Sequence, residues 1–301
     1  MTKIAIYSAA TQISITSNPE EFRPIGLCQD KWELTGDFDE ADWIYFYLDY
    51  IDCNEWYDRL MDDGVYREYG HKGIFYAMHD TPRFAYHAIN RGVKFMAQPL
   101  EDRFTNSMYG IVSMPLQMRK FELEVIKDRE FIEEIRCIPK EYDFCFVGQT
   151  GYMGRKAFRP ENLELPAGSR YLFGESQPIW GVKSLKERVK LTKDFCREIA
   201  SSKFCFAPRG IGSNSFRLYQ SLMSGTIPII YGMKDRPFEG VLNWDGFSIN
   251  GDLLNVAEPN FEALLNLDLD KMRNRAVEVW DNYFRMEKTD EYLFKTYLEK
   301  K

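Results

Sequence analysis

Ser202-Lys203-Phe204-Cys205-Phe206-Ala207-Pro208-Arg209-Gly210-Ile211-Gly212-Ser213-Asn214-Ser215-Phe216-Arg217 reads as a strand, a loop of small residues and the start of a helix. Such a junction offers unpaired backbone N–H groups and the positive end of a helix dipole to an anion. Gly210 and Gly212 let the backbone approach a diphosphate closely. Ser213 and Ser215 add hydroxyl donors, while Arg209 and Arg217 add fixed charge and forked hydrogen bonding. The loop alone has a second reading: a tight turn whose arginines pair with surface carboxylates.

Around this stretch, short apolar runs alternate with helical patterns. Residues 4–7, 43–48, 74–78 and 94–97 read as strands, with a helix-like segment at 54–61. Residues 116–136 are helical, highly charged and without loop punctuation, as a passage between domains would be. A second series starts at Tyr142-Asp143-Phe144-Cys145-Phe146-Val147. An amphipathic helix marked by Leu185, Val189, Phe195 and Ile199 follows, then strand 204–207, helix 216–223, Gly225 as a stop, and strand 227–231. The tail after Asp270 reads as one or two aromatic-rich helices. Strands alternating with helices predict parallel α/β sheets.

The chain has 301 residues, with 46 acidic against 39 basic side chains and a net charge of −7. That length suits two domains at about 150 residues each. The acidic balance argues against nucleic acid as a partner and leaves room only for a local basic patch. The six cysteines lie apart, with no C-x-x-C pair, so they read as buried or idle thiols in a reducing compartment. The first residues lack the apolar core of a signal peptide, and no stretch approaches the roughly 18 apolar residues of a membrane span. A cytoplasmic protein with no membrane span is expected.

The sequence after the loop narrows the reading. Leu218-Tyr219-Gln220-Ser221-Leu222-Met223-Ser224-Gly225-Thr226-Ile227-Pro228-Ile229-Ile230 is followed by Arg236-Pro237-Phe238 and Leu242-Asn243-Trp244-Asp245-Gly246-Phe247-Ser248-Ile249. The ordered series over 202–249 resembles the C-terminal half of the exostosin-like glycosyltransferases (glycosyltransferase family 47). That family shows S-x-F-C-L-x-P-R-G, S-x-R-x-x-E, G-x-I-P-V-I, P-F and W-x-x-F-S. Phe146-Val147-Gly148 and Glu40-Ala41-Asp42-Trp43-Ile44-Tyr45 extend the resemblance more weakly.

The resemblance implies a GT-B fold: two Rossmann-like domains with parallel sheets facing an interdomain cleft. Residues 1–125 would form the acceptor domain and 126–275 the nucleotide-sugar domain. A helix at 276–301 would follow, for which a return to the N-terminal domain is open. It implies inverting transfer, without a metal held by a D-x-D motif, from a nucleotide-sugar donor to a hydroxyl of a carbohydrate or other acceptor. Carried over by position, Arg209, Gly210 and Ser215 sit at the diphosphate with Arg217 nearby. Gln220 stands where the family usually has a glutamate on the ribose, which loses a charge-assisted bond. UDP is the usual nucleotide in the family. The Gly225-Thr226-Ile227-Pro228 run is also similar to GDP-fucose transferases and keeps GDP open. Eukaryotic exostosin relatives are usually membrane-anchored, so a chain without a span looks bacterial or viral in type.

A second phosphate candidate is Gly148-Gln149-Thr150-Gly151-Tyr152-Met153-Gly154-Arg155-Lys156, which fails the Walker spacing by one residue. It reads as a cleft loop with Arg155 on the diphosphate, or as a mobile surface loop. The base that accepts the acceptor's proton is expected at a strand end of the N-terminal domain. His79 and Asp80, after strand 74–78, fit best, with Asp80 as base or as the group orienting His79. The alternative is that Asp80 caps the Thr81-Pro82 turn and His79 packs. Asp49 is second choice.

Asp37-Phe38-Asp39 and Asp268-Leu269-Asp270 match D-x-D formally, but one precedes a strand and the other starts a helix, so no obligatory metal or other cofactor is expected. Two other function classes fit in part. Gly210-x-Gly212-x-x-Ser215 with Asp235 about 20 residues on is similar to an NAD(P)-dependent oxidoreductase fingerprint, with serine at the third glycine. The aromatic content also suits a non-catalytic carbohydrate-binding protein.

Overall fold

The computed structural model describes residues 1–8, 13–15, 30–47, 62–76, 95–97, 120–151, 154–175, 181–210, 215–233, 236–254 and 260–299. The chain divides into two units. One holds residues 1–115, 235–237 and 286–301; the other holds 116–234 and 238–285. Each is a Rossmann-like α/β unit built on a largely or wholly parallel sheet, as the α/β alternation led us to expect.

In the first unit the strands are β1 (Thr2–Ser8), β2 (Ile13–Ile15), β3 (Trp32–Leu34), β4 (Trp43–Tyr47), β5 (Gly73–Tyr76) and β6 (Phe95–Ala97). The parallel strands run β3-β1-β4-β5-β6. The free edge of β1 is shared: residues 2–4 pair with β3, and residues 6–8 pair antiparallel with β2. Ile4, Ile6, Ile44, Phe46 and Ile74 are fully buried, the near-continuous apolar pattern of strands covered on both faces. Asp63 caps helix α1 (Gly64–Tyr69) by accepting from Tyr66 N at 2.9 Å. Its other oxygen accepts from the Tyr7 hydroxyl at 2.6 Å, tying that helix to β1. Burial of Tyr7, and after it the Asp63 carboxylate, pushes the phenol well above its ordinary value.

Residues 286–301 return to this unit. Helix α8 (Met286–Leu293) and the π-helical turn Phe294–Leu298 bury Leu293, Phe294 and Leu298. Trp43 donates its indole N–H to Leu298 O at 3.0 Å, and Lys31 pairs with Glu291 at 3.5 Å.

The second unit opens with α2 (Lys120–Lys127) and α3 (Arg129–Arg136). Sequence periodicity suggests one unpunctuated helical passage here. Asp128 instead breaks it, capping α3 by accepting from Phe131 N at 3.0 Å. The sheet holds β7 (Tyr142–Val147), β8 (Tyr171–Gly174), β9 (Ser202–Pro208), β10 (Ile227–Tyr231) and β11 (Ile249–Asn250), in the order β11-β10-β9-β7-β8, all parallel. It follows the same path as the parallel strands of the first unit. The chain steps to one side of its first strand, then crosses to the other. The reversal here falls between β7 and β9, and ligands of open α/β sheets bind outside the carboxyl ends of the strands at that point.

One face of this sheet carries an aromatic core. Phe144 stacks on Phe204 at 5.4 Å, Phe146 on Phe158 at 5.5 Å, and Phe206 meets Phe261 edge-on at 5.6 Å. The other face presents Cys145, Val147 and Cys205 to Ile199 of α4 (Leu185–Ala200). Cys145, Cys196 and Cys205 are buried free thiols; Cys137 is exposed. Helix α4 buries Thr192, Cys196, Ile199 and Ala200, all from its midpoint onward. Leu185, expected on the buried stripe, is 44% exposed, and no residue of the first turn is buried.

Helix α5 (Phe216–Met223) is buried from Arg217 to Met223, with Gly225 in the left-handed conformation (φ +65°) just past its end. Lys140 gathers the ends of α4 and α5. Its ammonium donates to Ala200 O at 2.6 Å, Thr226 Oγ1 at 3.0 Å and Ser224 O at 3.4 Å. Burial first, and then the Arg273 charge, lower it to about 7. The unit continues through α6 (Phe261–Leu265) and α7 (Leu269–Val279) into the π-helical turn Trp280–Phe284. There Phe284 packs against Tyr219 of α5 at 5.5 Å.

Candidate functional site

Three arginines from separate stretches of sequence meet at the carboxyl ends of β7 and β9. Arg217 is the second residue of α5, whose N-terminus opens toward the end of β9. Its Nε donates to Val147 O, the last carbonyl of β7, and its guanidinium lies 4.8 Å from the Phe146 ring centroid. It is 7% exposed and has no carboxylate partner among the described residues. Burial, and after it the charge of Arg155, bring this guanidinium down to about 9, still protonated at neutral pH.

The glycine that follows β7 makes this placement possible. A Cβ on Gly148 would sit 1.5 Å from Arg217 Nη2 and 2.4 Å from Cζ, and the backbone there has φ +149°. Only glycine leaves that space and adopts that angle without strain.

Arg155 arrives from the loop after β7, on the 3₁₀ turn Arg155–Phe158 that starts after Gly154 in the left-handed conformation (φ +75°). It is 8% exposed. Its Nε donates to Arg209 O at 3.0 Å and its Nη2 to Pro208 O at 3.4 Å, the carbonyls that end β9. Phe158, at the far end of the turn, sinks into the aromatic core between Phe146, Phe206 and Tyr231. Core packing at Phe158 and two carbonyls at the β9 end hold Arg155 inside the unit, not on its surface.

Arg209 extends β9 by donating its N–H to Tyr231 O at 2.9 Å. Its aliphatic stem lies against Gly232, where a Cβ would come within 2.8 Å of Cδ. Gly232 N is in turn held by both oxygens of Asp252, at 2.9 and 3.0 Å. Ser215 is the N-cap residue of α5, and its side chain does not cap the helix. Gln220 lies one turn beyond Arg217, 4% exposed, and its Oε1 has no hydrogen-bond partner among the described residues. Gly210 follows Arg209 in the described chain, whereas Gly212 and Ser213 lie outside the described residues.

The structure therefore brings Arg155, Arg209 and Arg217 to one end of one sheet, with Ser215 at the N-cap of α5 and Gln220 one turn further along that helix. His79, Asp80 and Asp49 also lie outside the described residues. Sequence reading missed the cradle role of Gly148 and the part of Thr150, Arg159 and Glu175, which bond to one another beside the Arg155 loop. The glycine-rich loop was the available signal for Gly148; the trio had none.

The two D-x-D matches have local uses. Asp37 Oδ1 accepts from Asp39 N at 2.9 Å in a turn, and Asp268 caps α7 by accepting from Lys271 N at 3.1 Å. Among the described residues no group of three or more His, Cys, Asp or Glu is arranged to hold a metal ion. No helix among them is long and apolar enough to cross a membrane.

Chemically, the site presents two buried cations held by backbone carbonyls, the positive end of a helix dipole and a tight glycine turn. A buried cation without a counter-charge costs several kcal/mol by order of magnitude, and a bound anion removes that cost. A family model, the Exostosin GT47 domain, matches residues 29–265, which takes in the strands from β3 to β11.

Proposed function

We propose, from the premise that the chain belongs to the exostosin GT47 family and is a GT-B glycosyltransferase, that it is an inverting enzyme whose donor diphosphate binds at the β7/β9 edge. The observation that carries this is Arg217: a buried guanidinium, beside Arg155, with no carboxylate among the described residues. A buried guanidinium held by a carbonyl and a ring, with a second guanidinium beside it, favours a ligand of high negative charge. A nucleoside diphosphate is such a ligand.

The donor is a nucleotide sugar, UDP-linked by preference, and the acceptor is a hydroxyl of a glycan or similar molecule. The acceptor oxygen attacks C1 from the face opposite the diphosphate. The new C–O bond forms as the bond from C1 to the phosphate oxygen breaks, and the anomeric configuration inverts. Asp80, or His79 oriented by Asp80, takes the hydroxyl proton. The electron pair leaves on the diphosphate, where Arg155, Arg209 and Arg217, the α5 N-terminus, Gly210, Gly212, Ser213 and Ser215 stabilise the developing charge. Gln220 supports the nucleoside. No metal is needed in this scheme because guanidiniums carry the neutralising charge.

The test is a thermal-shift panel of UDP, GDP and ADP on the full chain. At least one diphosphate raises the melting temperature, and Arg209→Ala removes the shift. No shift with any of the three sinks the assignment. Product analysis by NMR then reads the anomeric configuration, and retention refutes the single displacement.

A further inference from the structure

The loop that carries Arg155 leaves β7 at Gly148 and is tied by three side chains outside the diphosphate contacts proposed above. Thr150, 1% exposed, donates its hydroxyl to Glu175 Oε1. It accepts from Arg159 Nη2 at 2.8 Å and Nε at 3.3 Å. Arg159 Nη2 lies 3.3 Å from each Glu175 oxygen, so the three side chains form a closed triangle. The Thr150 hydroxyl, and then the Arg159 charge, hold the Glu175 carboxyl below its ordinary value, so it is ionised at neutral pH.

The placement of the triangle is what matters. Thr150 precedes the turn Arg155–Phe158, Arg159 ends it, and Glu175 directly follows β8. The segments on both sides of Arg155 are therefore fastened to each other and to the end of the neighbouring strand. Phe158 anchors one end of the turn in the core and two carbonyls receive the Arg155 guanidinium, but neither contact fixes the backbone on the Gly148 side of the loop. A further tie fixes it. Buried arginines lose several rotatable bonds' worth of entropy on fixation, and a loop held beforehand meets that cost before ligand arrives.

We propose that Thr150, Arg159 and Glu175 are positioning residues that hold residues 148–151 and 154–159 in the geometry from which Arg155 reaches the Pro208 and Arg209 carbonyls and faces the donor diphosphate. The proposal rests on the reading of the β7/β9 edge as the donor site. It adds that affinity for the diphosphate is set partly by a triangle that never touches it.

Two measurements on the full chain test it, with Thr150→Val and Glu175→Ala as variants; Glu175 is half exposed, so its truncation leaves the fold intact. The first is hydrogen exchange at the Ala157 and Arg159 amides, which donate to Gly154 O at 3.0 Å and Lys156 O at 3.2 Å. Exchange there quickens about tenfold or more in both variants, as expected when a local opening becomes easier by a hydrogen bond to a charged group. Unchanged exchange overturns the proposal. The second is calorimetric binding of UDP and GDP. Each variant weakens binding about fivefold to tenfold, the effect of one lost hydrogen bond. In an Arg155→Ala background, Thr150→Val has no further effect. Equal weakening in both backgrounds means the triangle merely stabilises the fold, and also overturns the proposal. If the wild-type chain binds neither nucleotide, the donor-site reading fails instead, and hydrogen exchange alone decides the triangle.

Discussion

Gly148→Ala is the sharpest perturbation the site offers. The added methyl would stand 1.5 Å from Arg217 Nη2, 2.4 Å from Cζ and 2.7 Å from Nε. Non-bonded heavy atoms settle near 3.5 Å, so the guanidinium must retreat by about 2 Å. In retreating it gives up the hydrogen bond to Val147 O and its seat over the Phe146 ring. A hydrogen bond to a charged group contributes about 1.5–3 kcal/mol, and a desolvated cation–π contact about 2 kcal/mol. Alanine at φ +149° adds strain of about 1–3 kcal/mol. Some of this is recovered as the arginine finds water, so a net loss of about 3–5 kcal/mol in stability is expected.

Nucleotide affinity falls with the displaced charge, by about 10- to 100-fold for a lost charge-assisted contact. Urea denaturation gives the first quantity and calorimetric titration with UDP the second. Gly151→Ala is the control, because a Cβ there meets nothing within 4 Å. A Gly148→Ala chain within about 0.5 kcal/mol of wild type, binding nucleotide as well as before, refutes the reasoning.

Three further outcomes are expected. Lys140, lowered to about 7 by burial, has released its proton in the folded chain at pH values where the unfolded lysine, near 10.5, still holds it. Stability from this group therefore rises with pH between about 7 and 10, by up to about 1.4 kcal/mol per unit. Denaturant midpoints at pH 7, 8 and 9 should show a slope that Lys140→Met removes; the same slope in both refutes it. Asp63→Ala removes the α1 cap and leaves the buried Tyr7 hydroxyl without its acceptor, costing about 2–4 kcal/mol by equilibrium unfolding. A loss below 0.5 kcal/mol, roughly the effect of a surface substitution, would contradict it. Transferase activity persists in excess EDTA; a loss restored by Mg²⁺ or Mn²⁺ would move the neutralising charge from the arginines to a metal.

Much of the second unit was legible because its determinants are local. The β9 strand, Pro208-Arg209-Gly210 and α5 sit in one continuous stretch, so loop chemistry and apolar pattern speak together. Strands β2, β3 and β8 carry three or four residues each, too few to display a period. Arg217 meets Val147 across 70 positions, and Thr150 meets Glu175 across 25, so no window of sequence contains either contact. Leu185 shows the converse. Its spacing put it on the correct stripe of α4, but periodicity gives direction around a helix and not how far along it the core extends. The short loop from β7 to Arg155 was legible only as a glycine-rich candidate. What decided it was Phe158, an aromatic whose destination in the core depends on strands on both sides.

The return of residues 286–301 to the first unit has a consequence for how the protein is made. The second unit is continuous apart from residues 235–237, while the first cannot seat Leu293, Phe294 and Leu298 until some 170 further residues have followed position 115. At the usual 5–20 residues per second, that is a delay of roughly 10–30 s on the ribosome. During that interval the indole of Trp43 lacks the Leu298 carbonyl it will bond, and the faces that receive those three side chains are open. The half of the chain synthesised first is thus the last to be completed, and that interval is when it is most exposed to chaperones, proteases and its own nascent copies.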